Sequence, residues 1–193
     1  MAKKVGFLTL CTLYLGACSL QLKPNFNPFY LVVLQAQPNH AAALYGQGEN
    51  LIRQGRYESA LGYFESLTKA APGEAKGWIR LGQCRYELHS FKSAKEAFKR
   101  AVELQPGQEA EFGLASATLM AGNPAEATAL GERLKQKYGA SAEYYHLEGD
   151  IHYLQDDWKG ALTDYQQSLI MLPSQSDLQI RVKDLEEFLT ADR

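Results

Sequence analysis

Apolar residues recur at helical spacing through most of the chain, in pairs of segments divided by short polar or glycine-containing breaks. Prolines follow the second segment of three pairs, and a proline cannot continue a helix because it lacks the backbone N–H. Each pair is therefore predicted to form a helical hairpin. The breaks are Gln54-Gly55, His89-Ser90, Gly122-Asn123 and Asp156-Asp157, and the prolines are Pro72, Pro106 and Pro173.

The hairpins repeat in register. Their second helices carry Ala60, Ala94, Ala127 and Ala161, which are spaced 34, 33 and 34 residues apart. Three first helices contain a glycine, and each costs about 1 kcal/mol relative to alanine in a helix. Such glycines are expected where a neighbouring helix crosses closely, and the alanines are expected to supply the matching small surface. The glycines are Gly48, Gly82 and Gly149.

The second hairpin contains WIRLGQCRYELHSFKSAKEAFKRAVELQP, which resembles the tetratricopeptide repeat. The resemblance returns in all four hairpins and covers residues 41–174. It implies an all-α tetratricopeptide α-solenoid with about four helix-turn-helix repeats, whose stacked pairs share one continuous core. The residues that match the repeat signature in the second hairpin are Trp78, Leu81, Gly82, Ala94, Phe98, Ala101 and Pro106.

Both ends of the repeat array need to be covered. Residues 175–193 are predicted to be a C-terminal capping helix, since one stripe of it is apolar. Residues 29–40 are predicted to be a partial repeat, because Pro38 is in register with Pro72 and the apolar stretch Phe29–Gln37 stands where a second helix ends. The alternative for FYLVVL is a β-strand. The stripe of the capping helix consists of Leu178, Val182, Leu185 and Leu189.

The N-terminus has the layout of a secretory signal: Lys3 and Lys4, then the apolar stretch Val5–Tyr14, then small residues. The apolar stretch is too short to cross a hydrocarbon core of ~30 Å as a helix. The sequence LGAC ending at Cys18 resembles the bacterial lipobox. That resemblance implies that residues 1–17 are a removed lipoprotein signal peptide and that Cys18 carries lipid chains, such as palmitate. An ordinary secretory signal, or an uncleaved start with a buried cysteine, is the alternative.

In lipoproteins resembling this one, Ser19 after the lipidated cysteine favours the outer membrane, facing the periplasm. Residues 18–28 contain two prolines and two asparagines and are predicted to be a short tether. Two acyl chains or more would anchor the protein firmly, since each buried CH₂ contributes about 0.8 kcal/mol.

Composition narrows the functional classes. The chain of 193 residues has 20 basic and 22 acidic residues, a formal charge of −2, and no basic run, which disfavours nucleic acid as a partner. Three cysteines at these spacings indicate neither a disulfide framework nor a zinc site. We therefore expect no metal and no cofactor, and a non-enzymatic protein.

Two features of the sequence could carry chemistry. Glu148 and His152 lie four residues apart and share a helix face, which suits an acid–base or metal-binding pair or a satisfied ion pair. Cys84 stands where the repeat needs a small residue, so a packed thiol is expected rather than a nucleophile.

The resemblance implies that first helices line a concave surface that binds a partner segment. More than half of the matching positions are aromatic or large aliphatic, as in interaction sites; the alternative is that some of them pack against neighbouring helices. There is no lysine and asparagine clamp for a peptide carboxylate, so an apolar or amphipathic segment is expected. The positions are Tyr45, Glu49, Ile52, Ile79, Gln83, Tyr86, Phe112, Ser116, Leu119, His146, Asp150 and Tyr153.

Lipoproteins resembling this combination include those that assemble type IV and Tad pili or secretion channels, and this group is favoured. Adaptors for outer-membrane barrel assembly or for peptidoglycan enzymes are alternatives. A soluble periplasmic chaperone, and a metal-binding or enzymatic protein that uses Glu148 and His152, are further alternatives from other classes.

Overall fold

The computed structural model describes residues 29–191, and within that range the chain forms ten α-helices and no strand. The signal peptide and tether predicted over residues 1–28 lie outside the described residues. The helices are α1 Phe29–Ala36, α2 Ala41–Ile52, α3 Tyr57–Ala70, α4 Ala75–Glu87, α5 Phe91–Leu104, α6 Gln108–Met120, α7 Pro124–Tyr138, α8 Ala142–Leu154, α9 Trp158–Met171 and α10 Ser176–Ala191.

Four hairpins stack along the chain: α2 with α3, α4 with α5, α6 with α7, and α8 with α9. Each helix packs on the next one, and α6 also contacts α4 and α8, so first helices line up beside each other. The predicted all-α solenoid, with a lone helix before the hairpins and another after them, is confirmed. The strand alternative for FYLVVL is wrong, because that segment is helical.

The predicted breaks are tight turns with one left-handed residue each. Gly55, His89, Gly122 and Asp156 have positive φ angles of 69°, 56°, 90° and 60°. Glycine adopts this conformation without steric cost, and Asp and His are among the side chains that tolerate it best. After the fourth turn, the Asp157 carboxylate accepts a hydrogen bond of 3.0 Å from the Gly160 N–H and so caps α9.

The glycines of the first helices receive aromatic rings from the second helices. A Cβ atom at Gly48 would lie 2.5 Å from the Phe64 ring, and one at Gly82 would lie 2.9 Å from Phe98. The predicted close approach is therefore present, but the contacting groups at these glycines are rings rather than the alanines. The alanines are nevertheless fully buried, which leaves the hairpins no room for larger residues there: Ala60, Ala94, Ala127 and Ala161.

The third hairpin departs from this arrangement. Its first helix has Ala115 where the others have glycine, and its second helix has Gly131 where the others have a ring. The vacant space is filled from the next helix, since a Cβ atom at Gly131 would lie 3.2 Å from both Glu148 and Leu147. The third hairpin thus depends on α8 to complete its core.

The last helix, α10, closes the array. Leu178, Val182 and Leu185 are buried against Ala161 and Tyr165 of α9. The side of α10 that a further helix would cover instead carries exposed polar residues, so the apolar core ends here without an unprotected face. These polar residues are Gln179, Lys183 and Glu186.

Candidate protein-binding groove

The twelve positions predicted to line a groove lie on the first helices α2, α4, α6 and α8. Nine of them keep part of their surface exposed, as expected for residues available to a partner. Tyr153 is the most open of the large side chains among them, with 39% of its surface exposed. The nine are Tyr45, Glu49, Ile52, Ile79, Gln83, Tyr86, Ser116, His146 and Tyr153.

The other three predicted positions are buried. Phe112 and Leu119 are 5% and 2% exposed, because they pack in one apolar cluster with Leu134 and Leu147 of the flanking helices. The alternative that groove positions pack against neighbouring helices therefore describes both residues. Asp150 is 9% exposed and is held by hydrogen bonds within the protein, so it positions other side chains rather than facing a ligand.

An arginine that the sequence patterns did not single out organises the N-terminal part of the surface. Arg80 of α4 donates from Nε to the Glu49 carboxylate at 2.6 Å and from Nη1 to Glu109. These three residues, with Ile52 and Ile79 beside them, line a hollow of about 330 Å³. We name it the N-terminal hollow; both apolar and charged side chains line it.

A second arginine organises the side chains near the C-terminus in a similar way. Arg181 of α10 donates to the Asp150 carboxylate at 2.6 Å, and the Tyr165 hydroxyl donates to the same oxygen at 2.7 Å. Burial, followed by the charge and hydrogen bond of Asp150, raises the pKa of Tyr165 well above its ordinary value. Arg181 also lies 5.9 Å from the centre of the Tyr153 ring. This network ties the capping helix to α8 and α9.

Beside this network is a larger hollow of about 530 Å³, which we name the C-terminal hollow. Three rings form one wall: Trp158 lies 5.0 Å from Tyr153 and 6.0 Å from Phe188, measured between ring centres. The remaining lining comes from α10 and includes two carboxylates. These residues are Asp177, Ile180, Arg181, Asp184 and Leu185.

Charged groups from the two ends of the concave surface influence each other near Tyr86. Burial raises the pKa of the Glu87 carboxyl, and the carboxylate of Asp177 on α10 raises it further. Burial and then the charge of Asp150 likewise raise the pKa of Tyr86. Charges of the fourth hairpin and of the capping helix therefore act on groups of the second hairpin.

The predicted chemical features behave as structural groups. Cys84 is fully buried, and burial raises the pKa of its thiol to about 12, which keeps it protonated and unreactive. His152 pairs with Asp164 of α9, with 2.7 Å between Nδ1 and Oδ2, rather than with Glu148. Glu148 Oε1 is buried without a hydrogen bond from any described residue, and burial raises the pKa of its carboxyl.

Within residues 29–191, no group of three or more histidine, cysteine or acidic side chains has the arrangement of a metal site. Over the same residues, no helix is both long and apolar enough to cross a bilayer.

Comparison with known proteins assigns the architecture. Residues 51–112 match the profile of a tetratricopeptide repeat family. A thermophilic tetratricopeptide protein of Thermus thermophilus superposes with a TM-score of 0.64 and 17% identity, over 81% of this chain and 86% of the other. The described residues have the fold of a tetratricopeptide solenoid.

Two further similarities bear on the repeats. YrrB, a tetratricopeptide protein with an unusual peptide-binding site, superposes with a TM-score of 0.62 at 23% identity, over 81% of this chain and 80% of the other. The CTR9 homolog of Arabidopsis thaliana is 31% identical over 78 residues, which are 40% of this chain. The chain spans only 7% of the length of that relative, so the similarity concerns the repeats alone.

The tetratricopeptide register could have revealed the missed residues. Arg80 and Arg181 each pair with an acid 31 residues earlier in the chain. Placing α10 in register as the first helix of a fifth repeat aligns Arg181 with Arg80 and brings Ile180 and Asp184 to groove positions. The capping helix is thus both the end of the core and a part of the concave surface.

Proposed function

We propose that this protein is a non-enzymatic scaffold or adaptor that binds a segment of another protein on its concave face. The observation that carries the proposal is the pair of hollows on that face, with partly exposed aromatic and aliphatic side chains between charged groups. Side chains of this kind are enriched in the anchor positions of protein interfaces. YrrB, which shares the architecture, is itself described by a peptide-binding site, which supports the same use here.

Site-specific photo-crosslinking in cells tests this proposal. A photoreactive amino acid at Ile52 or Tyr86, both on the concave face, is expected to crosslink a discrete partner that mass spectrometry identifies. The matched control is the same amino acid at Lys99, an exposed position on the second helix α5. Equal crosslinking from all three positions, or none from the concave pair, contradicts the proposal.

The proposed cellular place is the periplasmic side of the outer membrane, through lipid on Cys18. Support comes from the sequence alone: Lys3 and Lys4, the apolar stretch after them, the LGAC motif and Ser19. Mass spectrometry of the mature protein is expected to find an acylated cysteine as the first residue. The Cys18→Ser variant should leave the membrane fraction; continued membrane fractionation of that variant contradicts lipidation.

The proposed role is the assembly of an envelope machine such as a type IV or Tad pilus or a secretion channel. Size and architecture support it: a short repeat array placed behind a predicted lipid anchor. Adaptors for outer-membrane barrel assembly or for peptidoglycan enzymes share these features and are the alternative. The identity of the crosslinked partner separates them, since a pilus or secretion-channel subunit supports the proposed role and a barrel-assembly component or a peptidoglycan enzyme contradicts it.

A further inference from the structure

We infer that the C-terminal hollow recognises a cationic side chain, lysine or arginine, carried on an otherwise apolar segment of the partner. This inference rests on the proposed protein-binding function and specifies the chemistry of the ligand. It assigns the recognition to the capping helix α10 together with the start of α9.

The C-terminal hollow exposes large apolar side chains. Phe188 and Ile180 on α10 are 50% and 62% exposed, and Tyr153 on α8 is 39% exposed, yet all three line one hollow. A helix whose only task is to end a core gains nothing from large apolar groups on its open side, and contiguous exposed apolar surface marks interaction sites. The groove side of α10 carries Ile180 and Phe188, whereas its outward side carries Gln179, Lys183 and Glu186.

The C-terminal hollow also carries negative charge. Two carboxylates line the hollow: Asp184, which makes no hydrogen bond or ion pair with any residue the structure describes, and Asp177, which accepts one 3.3 Å hydrogen bond from Ser176. The one arginine in the lining, Arg181, is already paired with the carboxylate of Asp150. The carboxylate of Asp177 also acts on Glu87 of the second hairpin, whose pKa it raises. The hollow therefore has an excess of negative charge.

Three aromatic rings line the C-terminal hollow beside these carboxylates. Tyr153, Trp158 and Phe188 form a row of edge-to-face rings, and Arg181 already lies near the first ring. The face of an aromatic ring attracts cations, and the attraction increases when water is displaced from the contact. Rings beside unpaired carboxylates favour a positively charged group over a neutral or negative one of similar size. An apolar flank in the ligand would cover Ile180 and Phe188.

Trp158 gives a direct signal for binding in this hollow. The chain has two tryptophans, and the other, Trp78, donates from its indole N–H to the Pro72 carbonyl at 2.9 Å, away from the hollow. A Trp78→Phe background leaves Trp158 as the single emitter. The probes are three synthetic peptides of equal length and leucine content, which differ only in having lysine, serine or glutamate between the leucines. The full chain is used, purified in mild detergent.

We expect the lysine peptide to change Trp158 emission and to bind about tenfold more tightly than the serine peptide, with the glutamate peptide weakest. Asp184→Asn should remove most of that preference, and Phe188→Ala should weaken binding of the lysine and serine peptides alike. The matched control is Glu96→Gln, an exposed acid on α5, which should change nothing. Circular dichroism verifies that each variant is folded.

Equal affinity for the three peptides, or an unchanged preference in Asp184→Asn, overturns the inference while peptide binding itself upholds the proposed function. A loss of affinity in Glu96→Gln as large as that in Asp184→Asn also overturns it, because attraction would then be general. An average molecular mass that increases with protein concentration, and that is lower for Phe188→Ala, would show that a second copy of the protein occupies the hollow. That result would overturn the inference. If no peptide binds and the concave positions crosslink nothing in cells, the proposed function fails as well.

Discussion

Arg80 and Arg181 occupy equivalent places three repeats apart, but they pair with different acids, and their own side chains are 22% and 47% exposed. Arg80 bridges Glu49 and Glu109, whose side chains are 26% and 62% exposed, so water reaches both carboxylates. Arg181 meets a single acid, Asp150, whose side chain is 12% exposed and also accepts the hydrogen bond of Tyr165. The same residue in the same register therefore stands in an open ion-pair network at one end and in a closed one at the other.

This difference separates an ion-pair network that a ligand can enter from one that holds the fold. An ion pair between partly exposed groups contributes little to stability and leaves the arginine free to exchange partners. A buried acid that loses its partner is costly, because its desolvation is no longer offset. Arg80 is therefore available to a ligand in the N-terminal hollow, whereas Arg181 fixes α10 so that its other side chains can shape the C-terminal hollow.

The largest expected effect comes from removing the closed network. Asp150→Ala leaves the Tyr165 hydroxyl and the Arg181 guanidinium without their shared acceptor, and we expect a loss of about 3 kcal/mol in the free energy of unfolding. Urea unfolding followed by circular dichroism measures it. Asp150→Asn, which keeps an acceptor but no charge, is the matched control and should lose about half as much. A loss below about 1 kcal/mol for the alanine variant would mean that both networks are open.

A smaller effect is expected at the other arginine. Arg80→Ala removes two ion pairs, but both acids return to water, so we expect a loss of about 1 kcal/mol or less in the same assay. The loss should decrease with added salt, since the partly exposed pairs are screened. Glu109→Gln, which affects the more exposed acid, should cost still less. If Arg80→Ala costs as much as Asp150→Ala, the contrast between the two ends is wrong.

The fold could be predicted from the sequence because its determinants repeat. A glycine, an alanine or a turn residue at one position is weak evidence, but the same residue type at intervals of 33 or 34 residues has one simple explanation. The helices α2–α9 and the buried stripe of α10 follow from that pattern. The left-handed turn at His89 and Asp156 was predicted as a break without its conformation, since neither residue is the glycine that usually adopts it.

The site was predicted less completely. The exposure of a side chain at a groove position depends on the residues packed against it, and these differ from one repeat to the next. Phe112 and Leu119 match groove positions by register, yet both are buried in a cluster with residues of α7 and α8. Arg80 pairs across three helices, and no local pattern connects residues so far apart in the chain. The groove side of α10 was overlooked because its apolar stripe already explained it as a cap.

The smallest expected effect concerns Glu148, whose partly buried carboxyl on α8 lowers the free energy of unfolding when it is ionised. Glu148 fills the space at Gly131, and burial, followed by the charges of Glu132 and Asp164, raises the pKa of its carboxyl. A carboxyl whose pKa is raised in the folded state favours folding only while it is protonated, so this contribution is lost as the pH rises from about 4.5 through the folded pKa. Glu148→Gln should therefore stabilise the protein at pH 7 by about 0.5 kcal/mol, a figure that allows for the partial exposure of the group.

The gain from Glu148→Gln should disappear in acid, where the wild-type carboxyl is already neutral, and urea unfolding across this pH range measures it. Glu132→Gln, an exposed position with the same charge change, should gain less, because it removes only one of the charges that act on Glu148. A destabilised Glu148→Gln variant at pH 7 would mean that the carboxylate is held by favourable partners. In that case α8 would be stabilised by Glu148 as well as by Asp150, and the closed network would extend into the third hairpin.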